Sequence, residues 1–385
     1  MIYIETFKRE FLSIFKNRGM MILLFIGPIF LTLYFGGVYY NDYVNDIPIA
    51  ILDEDGSSLS HLVSDNFLTN ERFKITNYPT SRQELQSLID DGKVQMGIFI
   101  PNGFESKVTT YQSSQILAIT DGTNIVVANN AIAQATLITQ SISAGIEMKL
   151  IQGKDLSPQM AQNIALTYNI GERILFDPKM TYMNYLIICF LAVFMQQLML
   201  SAMGSTFIRH SEYLSDGHVA PKVLAAMSSC FAGILPSVAM SMFALIKLFH
   251  VPIIGNIGTV IVMTVVFVAA LTGPSLLIAS MTKVRIKYSQ FSFMLSLPTF
   301  VSSGCVWPAD QMPKVLEIII RACWPLINYA KIVQEVLLKG MNFKTVIPNI
   351  LEMGIYILIW LPIGIICYKK TFNKNDAQIK LVENT

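Results

Sequence analysis

Charge is scarce in this chain. Of 385 residues, 14% are Asp, Glu, Lys or Arg, where a soluble chain carries about 25%. Mean hydropathy is +0.50. The deficit falls in long blocks, with ordinary composition between them. That excludes a soluble protein of two or three domains and points to a chain that crosses a membrane several times. Histidine is scarce too, at four (His61, His210, His218, His250), which leaves little with which to build a metal centre. His210 and His218 flank one short loop and read as solvated. The five cysteines form no CxxC pair, which argues against a zinc or dithiol site. Cys305 and Cys323 fall on one proposed side of the membrane, but spacing alone does not fix geometry, so a bond between them is left open. There is no GxxxxGK[ST] phosphate loop, no HExxH and no GxSxG. The chain therefore has no P-loop with which to hydrolyse ATP, and no cofactor or metal is expected on it. No basic patch with interleaved aromatics suggests nucleic acid. No Asp, Glu or Arg lies mid-way along an apolar block, which counts against a proton- or sodium-coupled carrier.

What is present follows a clear order. In residues 1–19, Ile4, Phe7, Phe11, Ile14 and Phe15 recur at helical spacing, with Lys8, Arg9 and Lys16 mostly off that stripe. This predicts an amphipathic helix in the headgroup layer, anchored by Phe7, Phe11 and Phe15. Residues 20–40 are apolar and long enough to span a bilayer. No small-residue cleavage pattern follows, so the run reads as a retained anchor; Gly27-Pro28 predicts a bend. Residues 41–180 have ordinary soluble chemistry, with 16 acidic and 9 basic residues between 42 and 179. Short apolar strands at 48–52, 73–76, 94–100 and 116–120 alternate with helices at 60–68 and 81–90. Longer helices are expected at 124–150 and 156–169. The alternation predicts a small α/β domain. Ser81 with Glu84 reads as a capping box. Asp53-Glu54-Asp55-Gly56 reads as a turn capping the next helix rather than a cation site.

Five further apolar blocks follow, at 181–208, 223–250, 257–281, 288–301 and 346–368. The fifth is short and ends at Pro298. Residues 302–340 then hold Ser303-Gly304, Pro308, Pro313, an amphipathic stretch and Pro325, the pattern of a helix that stops and turns back. Ser303, Gly304, Pro308 and Pro313 are the expected turn of this re-entrant gate. Gln196 and Gln197, mid-way along the second block, read as bonds between helices rather than substrate contacts. Lys and Arg number four in 1–19, two in 209–222, three in 283–287 and four in 368–385, against none in 251–256. By the positive-inside rule both termini are cytoplasmic and 41–180 is outside. Lys314, Arg321, Lys331, Lys339 and Lys344 run against that assignment, partly offset by Asp310, Glu317, Glu335 and Glu352. Residues 369–385 read as a mobile cytoplasmic tail. The expected fold is an α-helical polytopic membrane protein with six transmembrane helices, a re-entrant segment after the fifth, and a small α/β extracytoplasmic domain. Residues 181–368 form its five-helix membrane region.

Three stretches carry a family resemblance: FKREFLSIFKNRG at the start; IPIAILDEDGSS, LIDDGKVQMGIFIPNGFESKV and ILAITDGTN in the middle domain; and late in the chain Pro298, Ser303-Gly304, Trp307-Pro308, Met312-Pro313, Pro325 and Leu338-Lys339-Gly340. Together they resemble, over nearly the whole length, the membrane subunit of type-2 ABC exporters with a large extracytoplasmic domain after the first span. One loop departs from the family pattern. Where members carry Glu, then Arg-Gly-Thr, then a Leu-rich run, this chain reads IRHSEYLSDGHVAPKVLAAM; Glu212 stands for the acid and Pro221 for the proline. The resemblance implies an ATP-driven exporter in a bacterial inner membrane, moving a hydrophobic or amphipathic compound (drug, lipid or peptide). ATP and Mg would bind a separate cytoplasmic ABC ATPase, contacted by Arg209, Glu212 and Asp216. A second permease copy or a paralogue would complete the path. The competing expectation is a non-transporting membrane receptor or assembly factor whose outer domain binds a partner.

Overall fold

The computed structural model describes residues 1–383 except 42, 111, 153–174 and 178–180. The helix expected at 156–169 lies outside the described residues. The chain divides into two compact units, one of residues 1–42 and 174–385, the other of 43–173.

The first unit begins with α1 (Ile2–Lys16) and α2 (Arg18–Val38). Asn17 separates them: its backbone is extended and its side chain accepts the Met20 N–H at 3.2 Å, capping α2. Residues Ile22–Ile26 of α2 form a π-helical turn just before Gly27-Pro28. Proline has no N–H to give the carbonyl four residues back, here that of Leu24. The hydroxyl of Ser237, on a later helix, donates to that oxygen instead.

The second unit is an α/β domain. It comprises β1 (Ile47–Asp53), α3 (Ser58–Leu68), β2 (Phe73–Asn77), α4 (Arg82–Asp90), β3 (Met96–Ile100), α5 (Phe104–Thr109), β4 (Leu117–Thr120) and α6 (Ile125–Gln152). The sheet order is β2-β1-β3-β4, with β1 parallel to both neighbours and β4 antiparallel to β3. Helices cover both faces, so β1 and β3 are apolar nearly throughout. Ile47, Ile49, Ile51, Met96 and Ile98 pack with Phe67, Ala131 and Ala135 on one side. Ala50, Leu52 and Phe99 pack with Leu85, Leu88 and Ile89 on the other. The Asp53–Ser57 turn is held from within. Asp53 Oδ1 accepts the N–H groups of Asp55 and Gly56, and Asp55 accepts those of Phe104 and Glu105. The Ser57 hydroxyl, helped by the Phe104 and Glu105 N–H groups, lowers the Asp55 pKa from its ordinary 3.8. The complete capping box belongs to Ser57 and Ser60. At α4 only half of the expected box forms: Ser81 caps Glu84, but the Glu84 carboxylate turns to the Thr80 N–H at 2.8 Å.

The first unit resumes with α7 (Tyr182–Arg209), α8 (Ser211–Ser215), α9 (Val219–Lys247), α10 (Ile257–Thr282), α11 (Arg285–Val301), α12 (Lys314–Cys323), α13 (Ala330–Lys339) and α14 (Phe343–Glu383). Among the described residues, five helices are long and apolar enough to cross a membrane: α2, α7, α9, α10 and the Phe343–Asn373 part of α14. The fifth apolar block forms α11, 17 residues long and opened by Arg285 and Lys287. Helix α14 runs to Glu383. Helix α7 is the centre of the bundle and buries most of its side chains. Close approach elsewhere is bought by glycine. A Cβ at Gly273 of α10 would lie 2.5 Å from the Trp360 carbonyl carbon, and one at Gly364 the same distance from the Gly273 oxygen, so α10 and α14 touch backbone to backbone.

Polar bonds tie the remaining pieces. Gln196 is fully buried; its amide donates to Thr299 Oγ1 at 3.0 Å and its oxygen accepts Trp324 Nε1 at 2.7 Å. From α14, Tyr356 and Trp360 donate to the carbonyls of Cys323 and Ala322, each at 2.8 Å, satisfying the last orphan acceptors of α12.

Cys305 bonds to Cys189 of α7, not to Cys323, which is free and exposed. The reason is positional: residue 305 directly follows the turn that ends α11, and α11 packs along α7. Non-reducing peptide mapping of protein from native membranes is expected to recover residues 189 and 305 in one linked pair, with Cys323 open to alkylation. Recovery of a 305–323 linkage would refute this pairing.

Candidate functional site

Helix α1 buries Thr6, Glu10 and Ile14, spaced by four and therefore on one face. That face lies on α9. Ser229 Oγ donates to the Phe7 carbonyl at 3.0 Å, and Tyr3 OH to Ser228 Oγ at 2.9 Å. The aromatic row runs beside it. Tyr3, Phe7, Phe11 and Phe15 stack in a row that continues to Phe25 of α2. Phe7 and Phe11 are half-buried and Phe15 exposed. The aromatic row and the buried Thr6–Glu10–Ile14 row are thus adjacent faces of one helix.

Glu10 is the unusual member of the packed face. A carboxylate with 1% of its surface exposed needs a partner. It has His210, whose Nδ1 lies 2.7 and 2.9 Å from the two carboxylate oxygens. His210 is itself only 19% exposed, so it is not the solvated loop residue that its position in the sequence suggests. Beside it, Arg209 Nη2 donates to Ser13 Oγ of α1 at 3.1 Å. The end of α7 is therefore bonded to α1 through two consecutive residues.

The following turn is built on Tyr213. Its hydroxyl lies 3.2 Å from Thr6 Oγ1. Arg9 lies over its ring at 4.0 Å and Lys222 at 4.4 Å, two cation–π contacts. Lys222 is nearly buried and donates to the carbonyls of Tyr213 and Asp216 at 2.8 and 2.7 Å. These carbonyls end α8, where a cation is favoured. With the turn so fixed, Glu212, Asp216 and His218 are left exposed. Of the three residues expected to meet a motor, Glu212 and Asp216 face outward, while Arg209 is engaged with α1. Glu10, His210, Tyr213 and Lys222 had not been singled out as site residues. The available signal was Glu10 itself, an acid four residues from Ile14 and so on the same side of a basic helix.

At the other end of α7 lies the expected turn. Gly304 has φ +85°, a conformation open to glycine. Ser303 is buried; its hydroxyl donates to the Phe300 carbonyl at 2.6 Å and accepts the Cys305 N–H at 3.3 Å. Tyr185 OH donates to the Cys305 carbonyl at 2.5 Å. Pro308 precedes a short 3-10 turn, and Pro313 precedes α12.

Residues 18–366 match the family described as ABC-2 family transporter protein. The chain belongs to this family. Among relatives of this ABC-2 protein is the "Probable multidrug ABC transporter permease YbhR" of Escherichia coli K12, 22% identical over 79% of this chain and 81% of the relative. The "Inner membrane transport permease YhhJ" of the same organism is 20% identical over 94% of this chain and 96% of the relative. "ABC transporter G family member 20" of Dictyostelium discoideum is 26% identical over 39% of this chain and 21% of the relative. The protein is thus a multi-pass membrane permease of the ABC transporter type, and the family implies a partner ATPase subunit.

Breaking the Glu10–His210 contact tests whether α1 and α7 are joined as described. Glu10→Ala is expected to lower stability in mild detergent by about 1–3 kcal/mol. His210→Ala in that background should cost little more, whereas additive losses would show that the two side chains do not act on each other.

Proposed function

We propose that this ABC-2 permease is the membrane-spanning subunit of an ATP-driven exporter for a hydrophobic or amphipathic compound. Nucleotide hydrolysis takes place on a separate cytoplasmic ATPase, and a second permease copy or a paralogue completes the path. The observation that carries this reading is the bonded junction of α1 with the 209–222 turn. The turn presents exposed Glu212 and Asp216 and is tied through His210 and Arg209 to Glu10 and Ser13. A push on the turn is therefore passed to α1 and α7 together. In this scheme both termini are cytoplasmic, α11 is a sixth crossing, and 302–340 is a re-entrant segment. The turn at Ser303, Gly304, Pro308 and Pro313 shapes the outer mouth, with residues 41–180 outside the cell membrane. Two things support the orientation: the Lys and Arg content of 1–19, 209–222 and 283–287, and the Cys189–Cys305 bond, which persists on the oxidising side.

The test begins with co-purification from native membranes, expected to yield a stoichiometric ATP-hydrolysing partner. Glu212→Lys should then abolish permease-stimulated ATPase activity while the amount of protein in the membrane stays unchanged. Full stimulation in that variant would remove Glu212 from the docking surface. A pure permease with no associated ATPase after mild solubilisation and crosslinking would sink the exporter reading.

A further inference from the structure

Helices α2, α7, α9 and α10, closed on one side by α13, leave a cavity of about 470 Å³ between them. Its size is that of a small-molecule pocket, roughly 300–1,000 Å³. The wall is hydrocarbon: Leu191, Met195, Leu198, Val238, Met242 and Val260 are typical. Such a wall offers fewer polar partners than a buried water needs, and the space stays dry. Around the mouth, Leu235, Phe243, Ile257 and Ile261 are all exposed apolar side chains. They belong to membrane-crossing helices, so the opening faces lipid tails rather than water.

Two polar features interrupt the wall. Thr264 and Tyr329 satisfy each other, oxygen to oxygen at 2.8 Å. Ser241 does not: it is 2% exposed and its hydroxyl has no partner. Buried serines on a helix ordinarily bond back to a carbonyl of the preceding turn. Ser228, Ser229 and Ser237 of the same helix all do so. Ser241 keeps a donor free beside a dry cavity.

Its depth narrows the partner. Helix α9 has 29 residues and is about 43 Å long, with Ser241 six residues, roughly 9 Å, from its Lys247 end. A hydrocarbon layer of about 30 Å leaves each end projecting by roughly 6–7 Å. Ser241 therefore sits just inside the layer's edge, at the level where lipid acyl chains meet their ester groups.

We propose that the cavity is a resident site for one acyl chain of a membrane lipid, in the leaflet on the Lys247 side, with the ester carbonyl accepting from the Ser241 hydroxyl. The proposal depends on the helices lying in a bilayer and not on the direction or cargo of transport. A bound chain fills the space between α9 and α10 and makes the bundle's packing depend on the lipid around it.

The full-length chain is reconstituted in phosphatidylcholine–phosphatidylglycerol vesicles containing a trace of phosphatidylcholine with a diazirine in one acyl chain. After irradiation, adducts are mapped by peptide mass spectrometry. They are expected to concentrate in 235–246 and 257–264, well above the density around Leu358, an exposed side chain of α14 outside the cavity. Val238→Trp, or Ala239→Leu should the first not accumulate, fills the cavity and is expected to remove the excess there while labelling around Leu358 stays constant. Ser241→Ala preserves the volume and should cut cavity labelling about fivefold, the worth of one hydrogen bond. Labelling no denser than around Leu358, or insensitive to cavity filling, would overturn the proposal. So would equal labelling by a diazirine-bearing hexadecane irrespective of Ser241, which would mean simple wetting by hydrocarbon. A benzophenone amino acid at Phe243 should give a lipid adduct; a crosslinked pair of chains through it would instead assign the opening to a second copy.

Discussion

A polar atom taken into hydrocarbon has no water to bond, and its partner must come from the protein or the lipid. In this permease such atoms decide which helices are joined. Pro28 leaves the Leu24 carbonyl without a donor, and Ser237 answers it from α9. Gln196 holds α7 to α11 and to the Trp324 indole. Tyr356 and Trp360 close the carbonyl end of α12. Each bond is modest against water, but in an apolar layer the alternative is an unpaired group. Apolar packing gives the bundle its bulk, and these bonds give it its register.

The same constraint operates where α1 meets the end of α7. Burying a carboxylate is expensive, and Glu10 is tolerable only with His210 against both of its oxygens. The contact is specific: α1 has one position against the end of α7 and α8 at which Thr6, Glu10 and Ser13 all meet their partners. That makes the junction stiff and leaves the acidic face of the 209–222 turn free of internal obligations.

Much of this was legible in the sequence. Apolar strands bounded by Asp-Gly and Pro-Asn-Gly turns fall within a residue or two of β1–β4, because an α/β sheet covered on both faces writes itself as uninterrupted hydrophobic runs. The apolar blocks mark the long helices for the same reason. What could not be read depends on partners distant in sequence. Cys189 looks like any small apolar residue of a membrane helix until the turn after α11 is brought beside it. Glu10 looks solvated among Lys8, Arg9 and Lys16, since nothing local says which face of α1 will be covered. His210 reads as a loop residue because the loop begins at its own position. The misread capping box is subtler: Ser81-x-x-Glu84 has the right letters, but the Thr80 amide is the better target for Glu84.

The partners of Glu10 also impose an order on biogenesis. The carboxylate is made within the first ten residues, yet its histidine is made 200 residues later, and the α9 surface beneath it later still. Until then α1 lacks the surface on which Thr6, Glu10 and Ile14 are buried. The first helix of the chain is thus among the last to be seated, since its buried acid waits for a partner about half the chain away.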